Sequence, residues 1–414
     1  CALAELRSFP RGGGRGFHWI PLLSSNMEST SFPQSIADVD AQFMSRVLGL
    51  PVQSATAKAG TDAVHLGQVI HVTVEYTSEA SDAAESLPRE LAVKLGPQAP
   101  PLKGFCSLLQ ALATEHRFYS EANELRTVIE ESHADLTLAR CFHSSVSADM
   151  SEGCVVLEWL ASDTWEMFDI ARGAGERESS QLVAMLASIH GSTWSSSDSG
   201  ALSSLQWLLP INDMATKVIF ARDVPGTVSK SLENRGDSIP EDVTALLQKM
   251  TNESVIAFFD SLAVGPDDNN SAYTLIHNDY KMENFLFEKK VENEARRVTV
   301  LDWQVARKAK AAEGAALELV AYLCRNVQVH LLQKDGFIDA VVDGYLARLA
   351  ESAPGHANVP AREQFDALMR KAVVMPLITL AMTCSKWVEM DIAEDVAAKQ
   401  NARQKAMFDR CLAA

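Results

Sequence analysis

Residues 277–284 read His-Asn-Asp-Tyr-Lys-Met-Glu-Asn, and residues 300–304, a short distance downstream, read Val-Leu-Asp-Trp-Gln. The first stretch has the spacing H-x-D-x-x-x-x-N. In this spacing an Asp in a loop accepts the proton of an attacking hydroxyl, and the downstream Asn holds a metal ion. The pattern therefore predicts a phosphoryl-transfer loop with Asp279 as its base.

Strand-like apolar runs border both stretches. Residues 273–276 enter the loop, residues 285–287 leave it, and residues 298–301 form a further strand that ends at Asp302. The polar residues 288–296 turn the chain between the last two runs, which is typical of a β-hairpin.

The predicted hairpin brings three polar residues, Asp279, Asn284 and Asp302, to one end of the sheet. Carboxylate and amide oxygens are ligands that Mg²⁺ takes, commonly beside phosphate oxygens. We therefore predict Asn284 and Asp302 as metal ligands. Each residue alone also has an ordinary explanation, because an Asp-x-x-x-x-Asn pair arises by chance and an Asp at a strand end is often a turn residue.

The composition fits a two-lobed protein and argues against polyanionic partners. The chain has 414 residues, 47% of them hydrophobic, which suffices for two sizeable cores. Its formal net charge of −17 lacks the basic footprint that nucleic-acid binding needs. The apolar run 372–384 is too short to span a bilayer. We predict neither a nucleic-acid partner nor a membrane span, and the oligomeric state stays open.

The cysteines and the first residues bear on the compartment. Seven scattered cysteines without C-x-x-C pairing are typical of free thiols in a reducing compartment, so we predict a cytoplasmic protein. Residues 1–26 are Arg-rich and acid-poor, as organelle transit peptides are. Translation from Met27 is the other interpretation of this stretch.

The N-terminal half alternates between helical and strand patterns. Residues 36–48 show helical apolar spacing, Gln68 to Tyr76 alternates as a strand, and Glu90 to Leu95 is a short apolar strand. A helical stretch, residues 108–128, follows.

Lys94 interrupts the second of these strands. On an apolar strand a Lys commonly lies at an edge with its ammonium in water. The following helical stretch carries Glu115, and a strand Lys oriented by a helix Glu is the pair that binds nucleotide phosphates in kinases. Lys94 and Glu115 are therefore the candidate ion pair, with Glu121 and Glu124 left open as partners.

Two further segments are placed by chain order. Residues 60–67 lie where a loop covering the nucleotide is expected, although they lack the pattern G-x-G-x-x-G. Residues 154–160 form an apolar strand, and we expect its last residues, Glu158 to Leu160, at a hinge whose backbone contacts adenine. An ordinary core strand would have the same letters.

Beyond the hinge the periodicity is mainly helical. It predicts helices over residues 181–194, 315–332, 337–349 and 363–390, and we interpret His190 on the first of them as structural. The whole pattern predicts an α+β fold with two lobes. Residues 36–158 form an N-lobe of antiparallel sheet plus helix. Residues 159–414 form a large, mostly helical C-lobe with the catalytic hairpin and the acceptor site, and residues 1–35 are an N-terminal extension.

Five residues carry a resemblance, and in chain order they are Lys94, Glu115, Asp279, Asn284 and Asp302. Through them the chain resembles the aminoglycoside phosphotransferase and choline kinase group. Residues 115–119, 275–287 and 300–304 are most similar to its ecdysteroid-kinase-like (CHK-kinase-like) branch. The resemblance implies a protein-kinase-like fold, ATP and Mg²⁺, and phosphorylation of a small-molecule hydroxyl. Asn278 stands where Gly is common in the group, and Glu318 where Asp is usual.

The resemblance also implies a role for each residue. Asp279 orients and deprotonates the acceptor hydroxyl, Asn284 and Asp302 hold Mg²⁺, and Lys94, fixed by Glu115, holds the nucleotide.

Two more loop residues receive roles from their position. His277 braces the loop through hydrogen bonds. Lys281 neutralises charge on the transferred phosphoryl group, or it is an ordinary solvated loop lysine.

Two rival functions are weighed against a small-molecule kinase. A nucleotide-binding pseudokinase or scaffold would bind ATP without turnover, and the intact Lys, Asp, Asn and Asp argue against it. A protein kinase would have a Gly-rich loop and an A-P-E segment after Asp302, and the sequence has neither.

The acceptor itself is not identified by the sequence. We expect its pocket in the C-lobe and in the insert of residues 195–270. Trp194, Trp207 and Trp387 are candidates for lining it, although large aromatic residues more often serve the core.

Overall fold

The computed structural model describes most of the chain from residue 32 onwards. The described residues are 32–60, 67–80, 88–196, 200–235, 240–262, 272–289, 296–353, 359–373, 375–376, 378, 402–403, 405–407, 409–411 and 413. Nearly all of the predicted N-terminal extension, the interior of the predicted loop 60–67 and half of the predicted helix 363–390 lie outside the described residues.

The strands follow the apolar runs of the sequence. They are β1 (Val52–Ala59), β2 (Gln68–Tyr76), β3 (Glu90–Leu95), β4 (Leu136–Leu138), β5 (Cys141–Val146), β6 (Gly153–Glu158), β7 (Trp165–Met167), β8 (Ser195–Ser196), β9 (Ala272–Ile276), β10 (Phe285–Glu288), β11 (Val298–Val300) and β12 (Arg307–Lys310).

The α-helices of the described residues dominate the second half of the chain. They are α1 (Ala41–Leu48), α2 (Pro100–Leu108), α3 (Ala111–Ser120), α4 (Asn123–Ser132), α5 (Glu176–Ser192), α6 (Met214–Arg235), α7 (Glu241–Gln248), α8 (Asn252–Ser261), α9 (Ala311–Asn326), α10 (Val329–Leu332), α11 (Phe337–Ser352) and α12 (Arg362–Ala372).

The first sheet is antiparallel throughout and forms the N-lobe. Its strand order is β1-β2-β3-β6-β5. Ile70, Val72 and Val74 of β2 are buried, and the residues between them are more exposed, so the period-2 pattern places one face on the lobe's own core. β2 and β3 have the bounds that the sequence predicted, because their alternating apolar residues fill this core.

The helical stretch predicted over residues 108–128 is interrupted twice: it holds the last residue of α2, the whole of α3 and the first part of α4. Gln110 takes a left-handed conformation with φ 53° between α2 and α3, and Ala122 breaks the helix again before α4. A left-handed residue ends a helix, and a Gln in that conformation has little local signal. The break lets α3 pack on β5 and β6 while carrying Glu115.

Two small sheets hold the residues on either side of the predicted phosphoryl-transfer loop. β10 pairs with β11 as the predicted hairpin, with Phe285 opposite Val300, and β4 and β7 complete that sheet. β9 belongs to the other sheet, between β12 and β8. Residues 277–284 therefore connect two sheets, and they are called the His277–Asn284 loop below.

The C-lobe is built around the long helices α5, α9 and α11. α5 packs on α11 and α9, and one large core joins them to the β10–β11 hairpin. α6, α7 and α8 lie in the insert, where Phe220 of α6 contacts Phe259 of α8 with ring centroids 5.1 Å apart.

The architecture confirms the predicted α+β fold. An antiparallel N-lobe sheet with a helix against it is followed by a mostly helical C-lobe, the arrangement predicted for a protein-kinase-like fold. Among the described residues, every helix is too short or too polar to cross a bilayer.

Candidate active site

The N-lobe half of the site centres on Lys94 of β3. Its Nζ lies 2.7 Å from Glu115 Oε2 and 2.5 Å from Asp302 Oδ1. The side chains are 10%, 2% and 14% exposed, respectively. One ammonium therefore joins the N-lobe strand, the N-lobe helix and the C-lobe residue that follows β11.

The electrostatics keep Lys94 charged. Burial alone would lower the pKa of Lys94, but the carboxylates of Asp302 and Glu115 outweigh burial and hold that pKa above its usual value. The buried carboxylate of Glu115 and the partly buried carboxylate of Asp302 face one ammonium, which leaves this half of the site with more acidic than basic groups.

Two further contacts fix α3 and the residues just before it against the C-lobe. The ring of Phe118, on α3, stacks on Trp303 at a centroid distance of 4.5 Å. Arg307, which is 2% exposed, donates from Nη2 to the carbonyl of Leu109 at 2.7 Å, just before α3 begins. Glu115 is therefore anchored on both sides.

Asp302 sits at a special backbone position. It takes a left-handed conformation with φ 65° and ψ 56°, in which an Asp is more often found than most other residues. The preceding residue, Leu301, donates its N–H to the carbonyl of Asn284 at 2.9 Å. The register of the β10–β11 hairpin thus sets Asp302 beside the end of the His277–Asn284 loop.

Glu318 of α9 braces the start of that loop. It accepts the N–H of His277 at 3.0 Å and the N–H of Asn278 at 2.5 Å. Glu318 also accepts a hydrogen bond from His190 Nε2 at 3.0 Å, and His190 Nδ1 contacts the hydroxyl of Tyr345 at 2.6 Å. Glu318 thus holds two loop amides, and His190 is a fully buried support for it.

His277 joins the loop to the strand end before Asp302. Its Nε2 donates to the carbonyl of Leu301 at 2.8 Å, and its Nδ1 accepts the N–H of Asp279 at 3.3 Å. These two bonds assign the ring proton to Nε2. The ring also packs against Trp303 at 4.6 Å.

Asp279 is surrounded by two cations and an amide. Oδ2 lies 2.7 Å from Lys281 Nζ, and Oδ1 lies 3.8 Å from Arg325 Nη1. Asn284 donates from Nδ2 to the carbonyl of Asp279 at 2.8 Å and to its Oδ2 at 3.2 Å. The spacing of residues 279 and 284 therefore closes a compact polar turn.

The two cations govern the charge of Asp279. Burial alone would raise its pKa, but Lys281 and Arg325 outweigh burial and lower the pKa of Asp279 below its usual value. Burial likewise opposes the charge on Lys281, and Asp279 and Glu283 raise the pKa of that ammonium instead. Both loop residues are therefore ionised near neutral pH.

The candidate metal ligands, Asn284 and Asp302, are too few to surround an ion by themselves, and they suit an ion that also binds phosphates. The described residues contain no group of three or more His, Cys, Asp or Glu side chains that could hold a metal by themselves. Asn284 uses Nδ2 for its hydrogen bonds, so Oδ1 receives none from the described residues. One carboxylate and one amide oxygen suit Mg²⁺ that arrives with phosphates.

The predicted hinge lies where β6 ends. Glu158 makes two hydrogen bonds to the backbone of Arg140. Its N–H donates to the carbonyl of Arg140, and its Oε1 accepts the N–H of Arg140. Leu160 lies two residues beyond the strand. Its N–H has no hydrogen-bond acceptor among the described residues.

Sequence reasoning missed Arg325 and Asn326, at the end of α9. Asn326 accepts the N–H of Met282 at 2.7 Å and donates to the carbonyl of Tyr280 at 3.2 Å, so it holds the middle of the loop. Both residues lie far from residues 277–284 in the sequence and within a long apolar helix. Such polar residues ordinarily indicate only a helix end.

The three tryptophans predicted as candidates for lining the acceptor pocket differ in their positions. Trp194 is 3% exposed and belongs to the C-lobe core, and the partly buried Trp207 packs against the same core. Trp387 lies outside the described residues. The first two therefore serve mainly as core residues.

Comparison with known proteins gives one family match and several structural likenesses. The model of the family described as "Ecdysteroid kinase-like family" matches residues 64–353. This match covers most of the chain, including Lys94 and the residues of the His277–Asn284 loop. A search of curated proteins gives no match.

Three solved structures illustrate the structural likeness. A Ralstonia eutropha protein assigned to the aminoglycoside phosphotransferases is 11% identical, with a TM-score of 0.46 and coverage of 90% of this chain and 96% of its own. Choline kinase from Cryptosporidium parvum is 12% identical, with a TM-score of 0.42 and coverage of 86% and 88%. Choline kinase LicA from Streptococcus pneumoniae is 12% identical, with a TM-score of 0.41 and coverage of 89% and 98%.

Proposed function

The chain belongs to the ecdysteroid kinase-like family, and on this premise we propose that it is an ATP-dependent phosphotransferase. It moves the γ-phosphate of ATP to a hydroxyl group of a small molecule. The observation that carries this proposal is the position of Lys94 Nζ, within 2.7 Å of Glu115 and 2.5 Å of Asp302. In kinases a strand Lys paired with a Glu on the following helix binds the nucleotide phosphates, and a nearby Asp holds Mg²⁺, so the arrangement supports a nucleotide site here.

Lys94 binds the phosphates of the nucleotide in this proposal. Glu115 restricts the ammonium to one direction, because the carboxylate is almost fully buried and fixed by α3. Phosphate oxygens then replace Asp302 as the second partner of Lys94, which frees the Asp302 carboxylate.

Asn284 and Asp302 are the residues that would hold Mg²⁺. When bound, the ion neutralises charge on the phosphates. The hydrogen bonds of Asn284 orient its amide so that its Oδ1 remains the available ligand atom. Asp302 follows the end of the β10–β11 hairpin, and its left-handed backbone conformation sets the position of its carboxylate there.

Asp279 orients the acceptor hydroxyl and takes its proton. Its lowered pKa makes the carboxylate a weak base, so its main contribution is to align the hydroxyl until the proton becomes acidic during transfer. His277 keeps Asp279 in place by accepting its N–H.

Lys281 and Arg325 stabilise the negative charge that moves toward the acceptor. Both cations lie beside Asp279, and among the described residues Arg325 has no ion-pair partner except Asp279. At 3.8 Å this contact is longer than a hydrogen bond, so the guanidinium keeps donors for a phosphoryl oxygen.

The backbone after β6 supplies the contact to the nucleotide base. The N–H of Leu160 is an available donor among the described residues. Glu158 sets the direction of the chain through its bonds to Arg140.

The proposal is tested first by binding and then by turnover. Purified protein is heated with ATP and MgCl₂ together, with each alone, and with neither. We expect the combination to raise Tm most, because a ligand that binds only the folded state stabilises it by mass action. Release of ADP is then followed with hydroxylated sugars, amino alcohols and sterols as acceptors.

The two possible failures have different meanings. No stabilisation by Mg·ATP contradicts the whole proposal. Stabilisation without ADP release, with every acceptor and with water, favours the nucleotide-binding pseudokinase instead.

A further inference from the structure

We propose that residues 402–411 form a clasp that positions the His277–Asn284 loop, with Arg403 as the positioning residue. The clasp comprises the described residues 402, 403, 405–407 and 409–411, whose backbone is helical. The inference rests on the proposed function, because it takes the loop as the catalytic one. The clasp lies beyond the residues 64–353 that the family model matches.

Arg403 makes the first attachment. Its Nη2 lies 3.1 Å from Oε1 of Glu283, inside the loop, and its Nε lies 3.3 Å from Oδ1 of Asp169, which follows β7. Nη2 also donates to Oδ2 of Asp169 at 3.4 Å. The guanidinium is 13% exposed, so these charge-assisted bonds are partly shielded from water.

Arg410 makes the second attachment, to the residues that follow Asp169 and to the end of α9. It is 2% exposed and donates from Nη1 to the carbonyls of Ile170 at 2.5 Å and Arg325 at 2.7 Å. Its Nη2 donates to the carbonyl of Ala171 at 2.9 Å. The clasp thus holds the end of α9, which carries Arg325.

The two attachments converge on the same functional atoms. Glu283 directly precedes Asn284, so a shift of its side chain moves the backbone that carries the proposed metal ligand. The end of α9 places Arg325 near Asp279 and places Asn326 on the N–H of Met282. Small displacements of such groups lower the rate of phosphoryl transfer strongly, because catalysis depends on positioning.

The same segment supplies a matched control. Lys405 carries one positive charge on the clasp and pairs at 2.5 Å with Asp409, four residues on. Its side chain is 69% exposed. Lys405→Gln therefore removes the same charge from the same segment without touching the loop.

Amide hydrogen exchange of the full chain tests the clasp without any acceptor. Arg403→Gln, Glu283→Gln and Lys405→Gln are compared with wild type over the amides of residues 277–288. We expect the first two variants to speed exchange there about tenfold, since each loses a charge-assisted bond, and Lys405→Gln to leave it unchanged. Glu283→Gln covers the case in which Arg403→Gln does not fold.

A catalytic readout adds a second, separate criterion. The rate of ADP formation from Mg·ATP is measured for the same variants. We expect Arg403→Gln to lower kcat about 10- to 100-fold with little change in KM for ATP, as for other residues that orient functional groups.

Two results overturn the clasp. One is unchanged exchange over residues 277–288 in a folded Arg403→Gln variant. The other is equally faster exchange in Lys405→Gln, which would indicate general loosening of the segment. A wild-type protein without phosphotransfer contradicts the proposed function and leaves the exchange result to stand alone.

Discussion

The two halves of the site carry opposite charge balances. In the N-lobe half, one ammonium, Lys94, faces the two carboxylates of Glu115 and Asp302. In the loop half, one carboxylate, Asp279, faces the two cations Lys281 and Arg325. The first half is therefore suited to gain a cation, and the second is suited to gain negative charge.

This difference divides the proposed reaction between the halves. The Mg²⁺ of a bound Mg·ATP complex would bring positive charge to the surplus carboxylate of the first half, while the phosphates would meet Lys94. The phosphoryl group brings negative charge toward the surplus cation of the second half as it moves to the acceptor. Variants in the N-lobe half should therefore change mainly nucleotide binding. Variants in the loop half should change mainly turnover.

Asp279→Asn should have the largest effect on turnover. Losing the base costs about 10³-fold in kcat, whereas the nucleotide half stays intact and Mg·ATP affinity should change little. ADP formation and calorimetric Mg·ATP binding measure the two quantities. Asp335→Asn, the same change at an exposed residue of the C-lobe, is the control, and equal activity of the two variants would contradict the division.

Lys94→Met should have the next largest effect, and it should fall on the nucleotide half. It leaves the buried carboxylate of Glu115 and the partly buried one of Asp302 without their cation, which destabilises the fold by about 3–5 kcal/mol and removes the phosphate contact. Urea unfolding measures the loss of stability. Adding Glu115→Gln should restore part of that stability without restoring Mg·ATP binding, and recovery of binding would contradict the role of Lys94.

Arg325→Gln should lower kcat about 10- to 100-fold, because one charged donor to the transferred group is lost. Mg·ATP affinity should stay close to wild type. Arg362→Gln provides the matched control, since that guanidinium lies on the surface and pairs with Asp339, Asp343 and Asp366. A fall in nucleotide affinity without a fall in kcat would show that Arg325 belongs to the nucleotide half instead.

Glu318→Gln should have the smallest effect. The Gln amide offers one oxygen where the carboxylate offers two, so one of the loop N–H groups of His277 and Asn278 loses its acceptor. The expected cost is about 1.5–3 kcal/mol of stability, with a modest fall in kcat. Urea unfolding checks the stability, and a variant as stable as wild type would show that Glu318 does not brace the loop.

The sequence predicted much of the N-lobe half and the principal loop residues, because these residues stand in short patterns. Lys94 interrupts an otherwise apolar strand, and Asp279, Asn284 and Asp302 have a recognisable spacing around a hairpin. The bounds of β2 and β3 followed from alternation, since their buried residues fill one core.

The rest depended on contacts between distant parts of the chain. Arg325 and Arg403 lie on helical segments, and their partners Asp279 and Glu283 lie far away in the sequence. The helix break at Gln110 depends on a left-handed conformation that Gln does not signal. Local patterns report burial and period, whereas these features come from tertiary packing.

The most direct test of the central claim is phosphoryl transfer by wild type and Asp302→Asn in parallel. Labelled γ-phosphate is followed from Mg·ATP to water and to a panel of hydroxylated acceptors. Asp302 joins both halves of the site, through Lys94 and through the hairpin end beside Asn284. We expect transfer by wild type and a loss of orders of magnitude in Asp302→Asn with the fold retained. Transfer at the wild-type rate by Asp302→Asn would contradict the account.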